Sequence, residues 1–383
     1  MTERERPIGI DLFCGAGGMS LGFEQGGFDI VAGVDFDPIH AAIHSENFPD
    51  CRTLCADVSR LSGTELRSRA GLGDEEIDVV FGGPPCGGYS VMGRRNVDDP
   101  RNRLLNHFAR LVMELEPRYF VVENVGGLLI DPMPMHVEAF KSRLRSEYRI
   151  VEPIQALDAC DFGVPQRRRR IFILGCKKEL IAPEYPTVHR NANGASIHPT
   201  VWDAIEDLSD IDALEELLDS DVYTGKLRPA KSRYAEILRG EVKDPDDLSH
   251  VRKGAHRRLT GCGRIDHTAE VIRRFEATSP GTRESISKFY RLMEDGIAPT
   301  LRAGTDASRG SHSAARPIHP VKSRCITVRE GARLHSFPDW FEFHSTKWHG
   351  FQQVGNSVPP LLARAVSMSI QACLEDLGAN END

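Results

Sequence analysis

Residues 77–93, IDVVFGGPPCGGYSVMG, join a short apolar run to a loop rich in glycine and proline. The run 77–81 predicts a buried strand, and the glycines and prolines after it end that strand and stiffen the turn. Cys86 therefore stands just past the carboxyl end of a strand, where an open α/β sheet gathers its ligands and catalytic groups. A cysteine in this place is either a nucleophile or a small buried hydrophobic residue.

Strand and helix patterns alternate on both sides of this loop. Strand patterns cover residues 8–13, 30–34, 52–54, 77–81, 119–122, 148–156 and 170–175, and helix patterns cover 19–25, 38–47, 104–115, 137–147 and 360–377. This alternation predicts an α/β fold with a doubly wound, mostly parallel sheet. Residues 177–324 are irregular and predict a second, smaller domain, which leaves 1–176 and 325–383 for the sheet domain.

The composition of the 383 residues is that of an ordinary globular protein, with 40% hydrophobic and 27% charged residues. The nine cysteines include no repeated CxxC pair, which favours reduced thiols, and Cys51 and Cys55 lack the neighbouring ligands that a metal site needs. The polar N-terminus has no secretory signal and no apolar run approaches a membrane span. We therefore expect a cytoplasmic protein without a metal or a membrane contact.

The charge is unevenly distributed along the chain. The whole sequence has 48 Lys and Arg against 56 Asp and Glu, but residues 226–333 have 23 against 13. An acidic body that carries a basic segment can place a positive face on a polyanion. A well-solvated surface explains the same counts equally well.

A glycine loop, CGAGG at 14–18, follows the first strand pattern and precedes a helix pattern, and Asp35 ends the next strand. Glycines let the backbone approach a cofactor, and an acid about 20 residues further on can bind ribose hydroxyls. The loop lacks the GxGxxG spacing of a dinucleotide site, which favours a cofactor without phosphates, S-adenosylmethionine. Asp57, after the third strand, could accept from its adenine amino group. The alternative for the loop is a tight turn.

Two further groups of residues suggest chemistry beside Cys86. Glu123 follows four apolar residues at a strand end, where an unpaired charge is costly, so it serves either as a proton donor or as a helix cap. The run QRRRR at 166–170 enters an apolar strand, and alternation would put Arg168 and Arg170 on one face. Such guanidinium groups could bind a base carbonyl or a phosphate, although a solvated edge is the alternative.

Residues 353–360, QVGNSVPP, have the chemistry of a turn and by that chemistry alone predict a loop. With this segment included, the ordered motifs resemble the cytosine-C5 DNA methyltransferase family. The matching stretches are DLFCGAGG (11–18), VAGVDFDP (31–38), GGPPC (82–86), ENV (123–125), QRRRRIFILG (166–175), TVREGARLHSFPDWF (327–341) and QVGNSVPP (353–360). The resemblance extends from Asp11 to Pro360.

The resemblance implies a role for each matching residue. It implies S-adenosylmethionine contacts for Phe13, Gly15, Gly17, Asp35, Phe36, Asp57, Val58, Pro85 and Asn356. Cys86 matches the nucleophile that adds to C6 of a flipped cytosine, and Glu123 matches the acid on the N3/N4 edge of the base. Arg168 and Arg170 match the arginines near that base, and residues 177–324 lie where the family carries its DNA target-recognition domain.

One departure and three rivals accompany the resemblance. The family most often has Gln-Gly-Phe-Ser after PPC, whereas this chain has Gly87-Gly88-Tyr89-Ser90, which changes no catalytic group. An RNA (tRNA) cytosine-C5 methyltransferase shares the fold, but the long basic segment favours double-stranded DNA. A non-catalytic DNA-binding regulator would have lost Cys86, Glu123 or the glycine loop, and a nicotinamide dehydrogenase is disfavoured by the glycine spacing. We expect a bacterial, nucleoid-associated enzyme, solitary or with a cognate restriction endonuclease.

Overall fold

The structure is a computed structural model that describes residues 6–85, 99–130, 133–188, 198–252, 258–304 and 316–381. The chain divides into two compact units. The first comprises Met1–Asp158, Arg169–Thr187 and Ala363–Asp383, and the second comprises Ala159–Arg168 and Val188–Leu362. Cys86 and the Gly87 departure lie outside the described residues.

The first unit is built on an eight-stranded sheet. Its strands are β1 Ile8–Leu12, β2 Asp29–Asp35, β3 Arg52–Cys55, β4 Val79–Gly82, β5 Tyr119–Asn124, β6 Tyr148–Ile150, β7 Gln155–Asp158 and β8 Arg169–Lys177. The order is β3-β2-β1-β4-β5-β8-β6, with β7 also paired to β8. Pairs among β1–β5 are parallel, whereas β8 runs antiparallel to β5, β6 and β7. The predicted mostly parallel α/β sheet is confirmed.

The strand order reverses between β1 and β4. The chain runs from β1 outward to β2 and β3, then returns to the other side of β1 for β4 and β5. Open α/β sheets bind their ligands at such a reversal, outside the carboxyl ends of the strands. The glycine loop after β1 and the Gly83–Pro85 segment after β4 both begin at this edge.

Helices cover both faces of this sheet. They are α1 Gly18–Gln25, α2 Pro38–Asn47, α3 Gly63–Ala70, α4 Leu104–Leu115, α5 Pro134–Leu144 and, from the chain end, Pro360–Glu381. On one face, Leu66, Phe108 and Phe140 of α3–α5 join one apolar core with alternate residues of the strands. On the other, Phe23 of α1 stacks on Phe81 of β4, with ring centroids 3.8 Å apart. The sheet is therefore doubly wound, as predicted.

Helix boundaries follow local chemistry. Asp37 accepts a hydrogen bond from the Ile39 N–H at 2.8 Å and Pro38 occupies the first turn, so α2 begins where the sequence predicts. Helix α3 was not among the predicted helices. It begins after Ser62, whose hydroxyl accepts a hydrogen bond from the Glu65 N–H. It ends before Gly71, which has the left-handed conformation. None of the helices in the described ranges has the length and apolar character needed to cross a membrane.

The second unit contains short helices linked by irregular segments. They are α6 Val201–Ile205, α7 Glu216–Asp219, α8 Arg233–Leu238, α9 Ala269–Glu276, α10 Val328–Arg333 and α11 Lys347–Asn356, so that Pro360–Glu381 is α12. Much of its positive charge is internal: Arg329 and Arg333 are fully buried, and Arg333 pairs with Asp207 at 2.8 Å and Asp339 at 2.7 Å. The count of Lys and Arg for residues 226–333 therefore overstates the positive charge that this segment exposes to solvent.

Two local predictions differ from the structure. The loop predicted for 353–360 is wrong in its first half, because Gln353–Asn356 forms the last turn of α11 and the prolines stop the helix only afterwards. The unit boundaries also differ from the predicted domain boundaries, since residues 325–362 pack with the second unit. The assignment of 177–324 to target recognition stays a prediction.

Candidate active site

The glycine loop after β1 is held by backbone hydrogen bonds to β2. The N–H groups of Phe13 and Cys14 both donate to the Val34 carbonyl, at 2.8 and 3.0 Å. Gly17 has a φ of 105°, and a Cβ there would lie 2.3 Å from the Phe48 ring, so only glycine fits. A Cβ on Gly15, by contrast, would meet no atom of the described residues within 4 Å. The loop thus leaves open space at Gly15 and is closely packed at Gly17.

Asp35 closes the loop from the end of β2. Its Oδ2 accepts from the Gly15 N–H at 2.9 Å and its Oδ1 accepts from the Asp37 N–H at 2.8 Å. Burial alone would raise the pKa of Asp35, but hydrogen bonds from His40 and these two N–H groups outweigh it and lower the pKa. Asp35 is thus an ionised acceptor beside the open space at Gly15.

Phe36 and Asp57 present their side chains to solvent beyond the ends of β2 and β3. Phe36 is 78% exposed, so its ring is accessible to a ligand. Asp57 accepts from the Ser59 N–H at 2.9 Å, and hydrogen bonding from Ser59 lowers its pKa. The neighbouring Val58 is buried in the core, and the Ala56 N–H donates to the Asp35 carbonyl at 2.9 Å. The exposed Phe36 ring and the carboxylates of Asp35 and Asp57 together have the chemistry to bind an adenosine group.

A buried polar chain that sequence reasoning missed lies beneath this loop. The Ser20 hydroxyl donates to Asp11 Oδ2 at 2.6 Å, His44 Nε2 lies 2.9 Å from the Ser20 oxygen, and His44 Nδ1 lies 2.7 Å from the Thr53 hydroxyl. Burial lowers the pKa of His44 to about 3 and raises that of Asp11 to about 8. The chain joins β1, α1, α2 and β3 with a neutral imidazole. The only sequence signal for this chain is that its polar residues stand among apolar neighbours in regular strand and helix patterns.

Glu123 and Arg170 form an ion pair across β5 and β8. Arg170 Nε lies 2.9 Å from Glu123 Oε1, and both side chains are largely buried, at 12% and 14% exposure for Glu123 and Arg170. Glu123 lies within β5 opposite Phe172, so it is not a helix cap. A Cβ on Gly83 would come within 2.9 Å of Glu123 Oε2. Glu123 therefore lies against the segment that leads to Cys86.

The next residue of β5 ties down the same segment. The Asn124 side-chain amide donates to the Pro84 carbonyl at 3.1 Å and is itself buried. Pro84 is buried and Pro85 is exposed. The turn after β4 is thus anchored to β5 up to the last described residue before Cys86.

Arg168 does not continue the alternation predicted for it. The strand begins at Arg169, and Arg168 is 1% exposed in the second unit. Its guanidinium donates to the carbonyls of Leu301 at 3.0 Å and Gly355 at 2.8 Å. Asn356, the residue after Gly355, is exposed at the end of α11. Strand alternation therefore does not apply to Arg168, because the strand begins one residue later, and the shared face of Arg168 and Arg170 stays a prediction.

Within the described ranges, no cluster of three or more His, Cys, Asp or Glu side chains could hold a metal ion. The eight cysteines of these ranges are all free thiols, seven of them buried. The ends of β1, β2 and β3 thus offer hydrogen-bond acceptors and an aromatic ring without a metal centre, and β5 and β8 offer an acid–guanidinium pair.

Comparison with known proteins gives this arrangement a family. The family model of the C-5 cytosine-specific DNA methylases matches residues 9–372. The chain is 50% identical over 373 residues to the Type II methyltransferase M.XorII of Xanthomonas oryzae pv. oryzae, covering 96% of this chain and 85% of that one. It is 32% identical over 370 residues to the Type II methyltransferase M1.HphI of Haemophilus parahaemolyticus, covering 94% and 86%.

Solved structures show the same architecture. A candidate DNA modification methyltransferase encoded within an E. coli prophage superposes with a TM-score of 0.79 at 32% identity, covering 96% of this chain and 99% of that chain. The Dnmt2 methyltransferase of S. pombe matches with a TM-score of 0.56 at 17% identity, over 97% and 100% of the two chains, which shows the fold alone. The chain belongs to the C-5 cytosine-specific DNA methylase family.

Proposed function

We propose that this protein transfers a methyl group from S-adenosylmethionine to C5 of cytosine in a specific double-stranded DNA sequence, with S-adenosylhomocysteine as the second product. The observation that carries the proposal is the Glu123–Arg170 pair, 2.9 Å apart, beside the Gly83–Pro85 segment. It supports this chemistry because methylation at C5 requires both a nucleophile and an acid at the cytosine. The acid, Glu123, is held next to the turn that leads to the proposed nucleophile, Cys86.

Residues at the ends of β1–β3 would hold the cofactor. The ionised Asp35 would accept from the ribose hydroxyls, Phe36 would pack on the adenine ring, and Asp57 would accept from the adenine amino group. The open space at Gly15 supports this fit. When bound, the cofactor supplies a methyl group on a positively charged sulfur. The full set that we propose is Phe13, Gly15, Gly17, Asp35, Phe36, Asp57, Val58, Pro85 and Asn356.

Cys86 and Glu123 would act on a cytosine turned out of the duplex, at a cost of roughly a few kcal/mol. The Cys86 thiolate would add to C6 and form an S–C6 bond, while Glu123, after taking up a proton from solvent, would pass that proton to N3 and neutralise the charge that builds there. C5 would then take the methyl group that the cofactor supplies, with S-adenosylhomocysteine as the leaving group. Transfer of the C5 proton to a solvent base would restore the C5–C6 double bond, break the S–C6 bond and release the thiolate, and N3 would return its proton to Glu123. Nearby arginines would favour the ionised form of the thiol.

Arg170 and Arg168 support this step in different ways. Arg170 would keep the Glu123 carboxyl against the Gly83–Pro85 segment and face the base. The buried contacts of Arg168 with Leu301 and Gly355 support a positioning role for the segment that ends in Asn356. A place for Arg168 near the target base stays a prediction.

Bisulfite sequencing of DNA from a host that expresses the protein tests the activity and identifies the target sequence together. We expect one short sequence to be protected from conversion. Cys86→Ser should abolish the protection while the purified variant still binds S-adenosylmethionine. Methylation by Cys86→Ser would exclude the covalent mechanism, and binding of DNA without methylation by the native protein would favour a non-catalytic regulator.

The RNA rival is tested by tritium transfer from labelled cofactor to DNA and to tRNA. We expect label in DNA, because residues 226–333 form a long segment with 23 Lys and Arg against 13 Asp and Glu. Label in tRNA alone would contradict the proposal. The Dnmt2 likeness does not favour RNA, since at 17% identity it concerns the fold.

The Type II names of the relatives support a place in a restriction–modification system. We propose that a cognate endonuclease cuts the same sequence and that the protein works at the nucleoid of the bacterial cytoplasm. DNA methylated by this protein should then resist an endonuclease specific for that sequence, whereas unmodified DNA is cut. Cutting of both DNAs would contradict the partnership.

A further inference from the structure

A cleft of about 350 Å³ in the second unit has no part in the site described above. Its lining includes Arg167, Arg283, Tyr290, Gly281 and Pro299. Arg167 belongs to the basic run at 166–170, but neither the cofactor nor the base step uses it. The cleft therefore brings together an unused arginine of that run and a second arginine 116 positions further along the sequence.

One wall of the cleft presents Arg167 on a fixed backbone. The Arg167 N–H donates to the Ala298 carbonyl at 2.8 Å, and its own carbonyl accepts from the Thr300 hydroxyl at 2.7 Å. The Arg167 side chain is exposed and makes no hydrogen bond or ion pair with the part of the chain that the structure describes. Its guanidinium is thus available to a ligand while the backbone stays in place.

A short hairpin contributes Arg283 and Tyr290 to the same lining. The N–H of Gly281 donates to the Arg291 carbonyl and the N–H of Arg291 donates to the Thr282 carbonyl, both at 2.9 Å. The Arg283 guanidinium lies 5.9 Å from the centre of the Tyr290 ring and donates to the Lys288 carbonyl at 3.0 Å. Contact with an aromatic face restricts the arginine and orients it.

The one carboxylate of this hairpin is turned inward. Glu284 is 1% exposed and accepts from the Ile286 N–H at 3.0 Å and from the Ser287 hydroxyl at 2.6 Å. The Glu284 carboxylate therefore stabilises the turn by accepting these hydrogen bonds. Gly281, with a φ of 81°, leaves no room for a side chain, since a Cβ would lie 2.9 Å from Met293 Sδ. The lining presents guanidinium groups without a carboxylate among the described side chains.

We propose that Arg167 and Arg283 bind the phosphodiester backbone of duplex DNA in this cleft. Guanidinium groups bind phosphate oxygens through planar, charge-assisted hydrogen bonds, and the Tyr290 hydroxyl adds a neutral donor. The described lining has no amide or carboxylate side chain to read adenine or cytosine edges. We assign its two arginines to the backbone because most protein–DNA hydrogen bonds are made to phosphate and sugar, and the two duplexes of the test separate this from arginine readout of guanine. This inference rests on the proposed DNA substrate and adds a subsite for it.

The test measures DNA affinity of the full-length protein by fluorescence anisotropy between about 50 and 200 mM salt. Two duplexes are used, one with the sequence found by bisulfite sequencing and one scrambled. Arg167→Gln and Arg283→Gln should each lower the slope of log K against log salt by about 0.9, or about eightfold in affinity at 100 mM salt, for both duplexes alike. Arg167→Lys should retain the slope because it keeps the charge.

Arg145→Gln is the matched control, since Arg145 is exposed at the end of α5 and its loss changes the net charge equally. It should leave the slope unchanged, and melting temperatures and S-adenosylmethionine affinity should be the same for all variants. Unchanged slopes in both cleft variants would overturn the proposal, as would a loss confined to the cognate duplex, which indicates base readout. If the native protein bound neither duplex, the proposed function would be overturned as well. If the native protein methylated DNA but the variants kept the native slope, only the proposed phosphate binding in the cleft would be overturned.

Discussion

The Arg170 guanidinium lies 2.9 Å from the Glu123 carboxylate, and the antiparallel pairing of β5 with β8 holds the two together. Two residues 47 positions apart in sequence thus form one pair at the edge where β4 ends. Because both side chains are largely buried, solvent weakens their attraction less than it would at the surface.

Glu123→Gln should lower the methylation rate by about 10²–10⁴-fold, because an amide cannot donate the proton that N3 requires. Single-turnover methylation with saturating cofactor and DNA measures the effect. Affinity for S-adenosylmethionine should change by less than about twofold. A variant with the native rate would exclude Glu123 as the acid. Glu138→Gln, on the exposed side of α5, is a suitable control.

Asp35→Asn should weaken S-adenosylmethionine binding by about tenfold or more. The substitution removes an ionised acceptor that the Gly15 and Asp37 N–H groups help to keep charged. Isothermal titration calorimetry measures the change, with Asp50→Asn on the exposed turn after α2 as the control. Equal affinities for the two variants would show that Asp35 does not face the cofactor.

Asp11 should make the native protein less stable as the pH rises from 6.5 to 8. Burial raises the pKa of Asp11 to about 8, so the folded state keeps a proton that the unfolded state has lost. The stabilisation is complete below the unfolded pKa of 3.8 and is lost as the pH passes the folded value. His44 acts in the opposite direction in the lower part of this window, because it is neutral in the fold while its unfolded pKa is 6.5. The Asp11→Asn variant keeps His44, so the comparison of the two proteins isolates Asp11.

Melting temperatures of native protein and Asp11→Asn, measured at pH 6.5, 7.25 and 8, test this sign. The native protein should lose up to about 1.4 kcal/mol of unfolding free energy per pH unit relative to the variant. Parallel pH profiles for the two proteins would show that Asp11 is ionised throughout.

Arg168→Ala should destabilise the protein by about 3 kcal/mol. The guanidinium is 1% exposed and its loss leaves the buried carbonyls of Leu301 and Gly355 without their donor. Urea unfolding measures the loss, and Arg169→Ala at an exposed position should change the midpoint little. If Arg168→Ala kept native stability but lost activity, its role would lie at the base and not in positioning.

The sequence predicts the regular core of this protein well because local patterns report burial directly. Strands such as Tyr119–Asn124 are continuous apolar runs, and Asp37-Pro38 marks the start of a helix by its own hydrogen bonding. Predictions fail where a distant contact decides the outcome. Gln353–Asn356 has turn residues, yet it completes α11, where the Gly355 carbonyl accepts from Arg168.

Charge patterns required the tertiary structure for a different reason. The basic excess of residues 226–333 contains Arg329 and Arg333, which sequence counts as surface charge but which the fold buries with carbonyl and carboxylate partners. The chain Asp11–Ser20–His44–Thr53 was likewise missed, because its members look isolated in sequence and meet only when β1, α1, α2 and β3 pack together.

By itself the sequence determined the family, the α/β class and the identity of the candidate groups, since each motif is a local pattern of residue types. Only the tertiary structure decided which of those groups meet. It pairs Glu123 with Arg170, directs the Arg168 guanidinium to buried carbonyls, and places Arg167 and Arg283 in the lining of one cleft. The physical reason is that hydrogen bonds and ion pairs depend on distances of about 3 Å, which strand register and helix packing set.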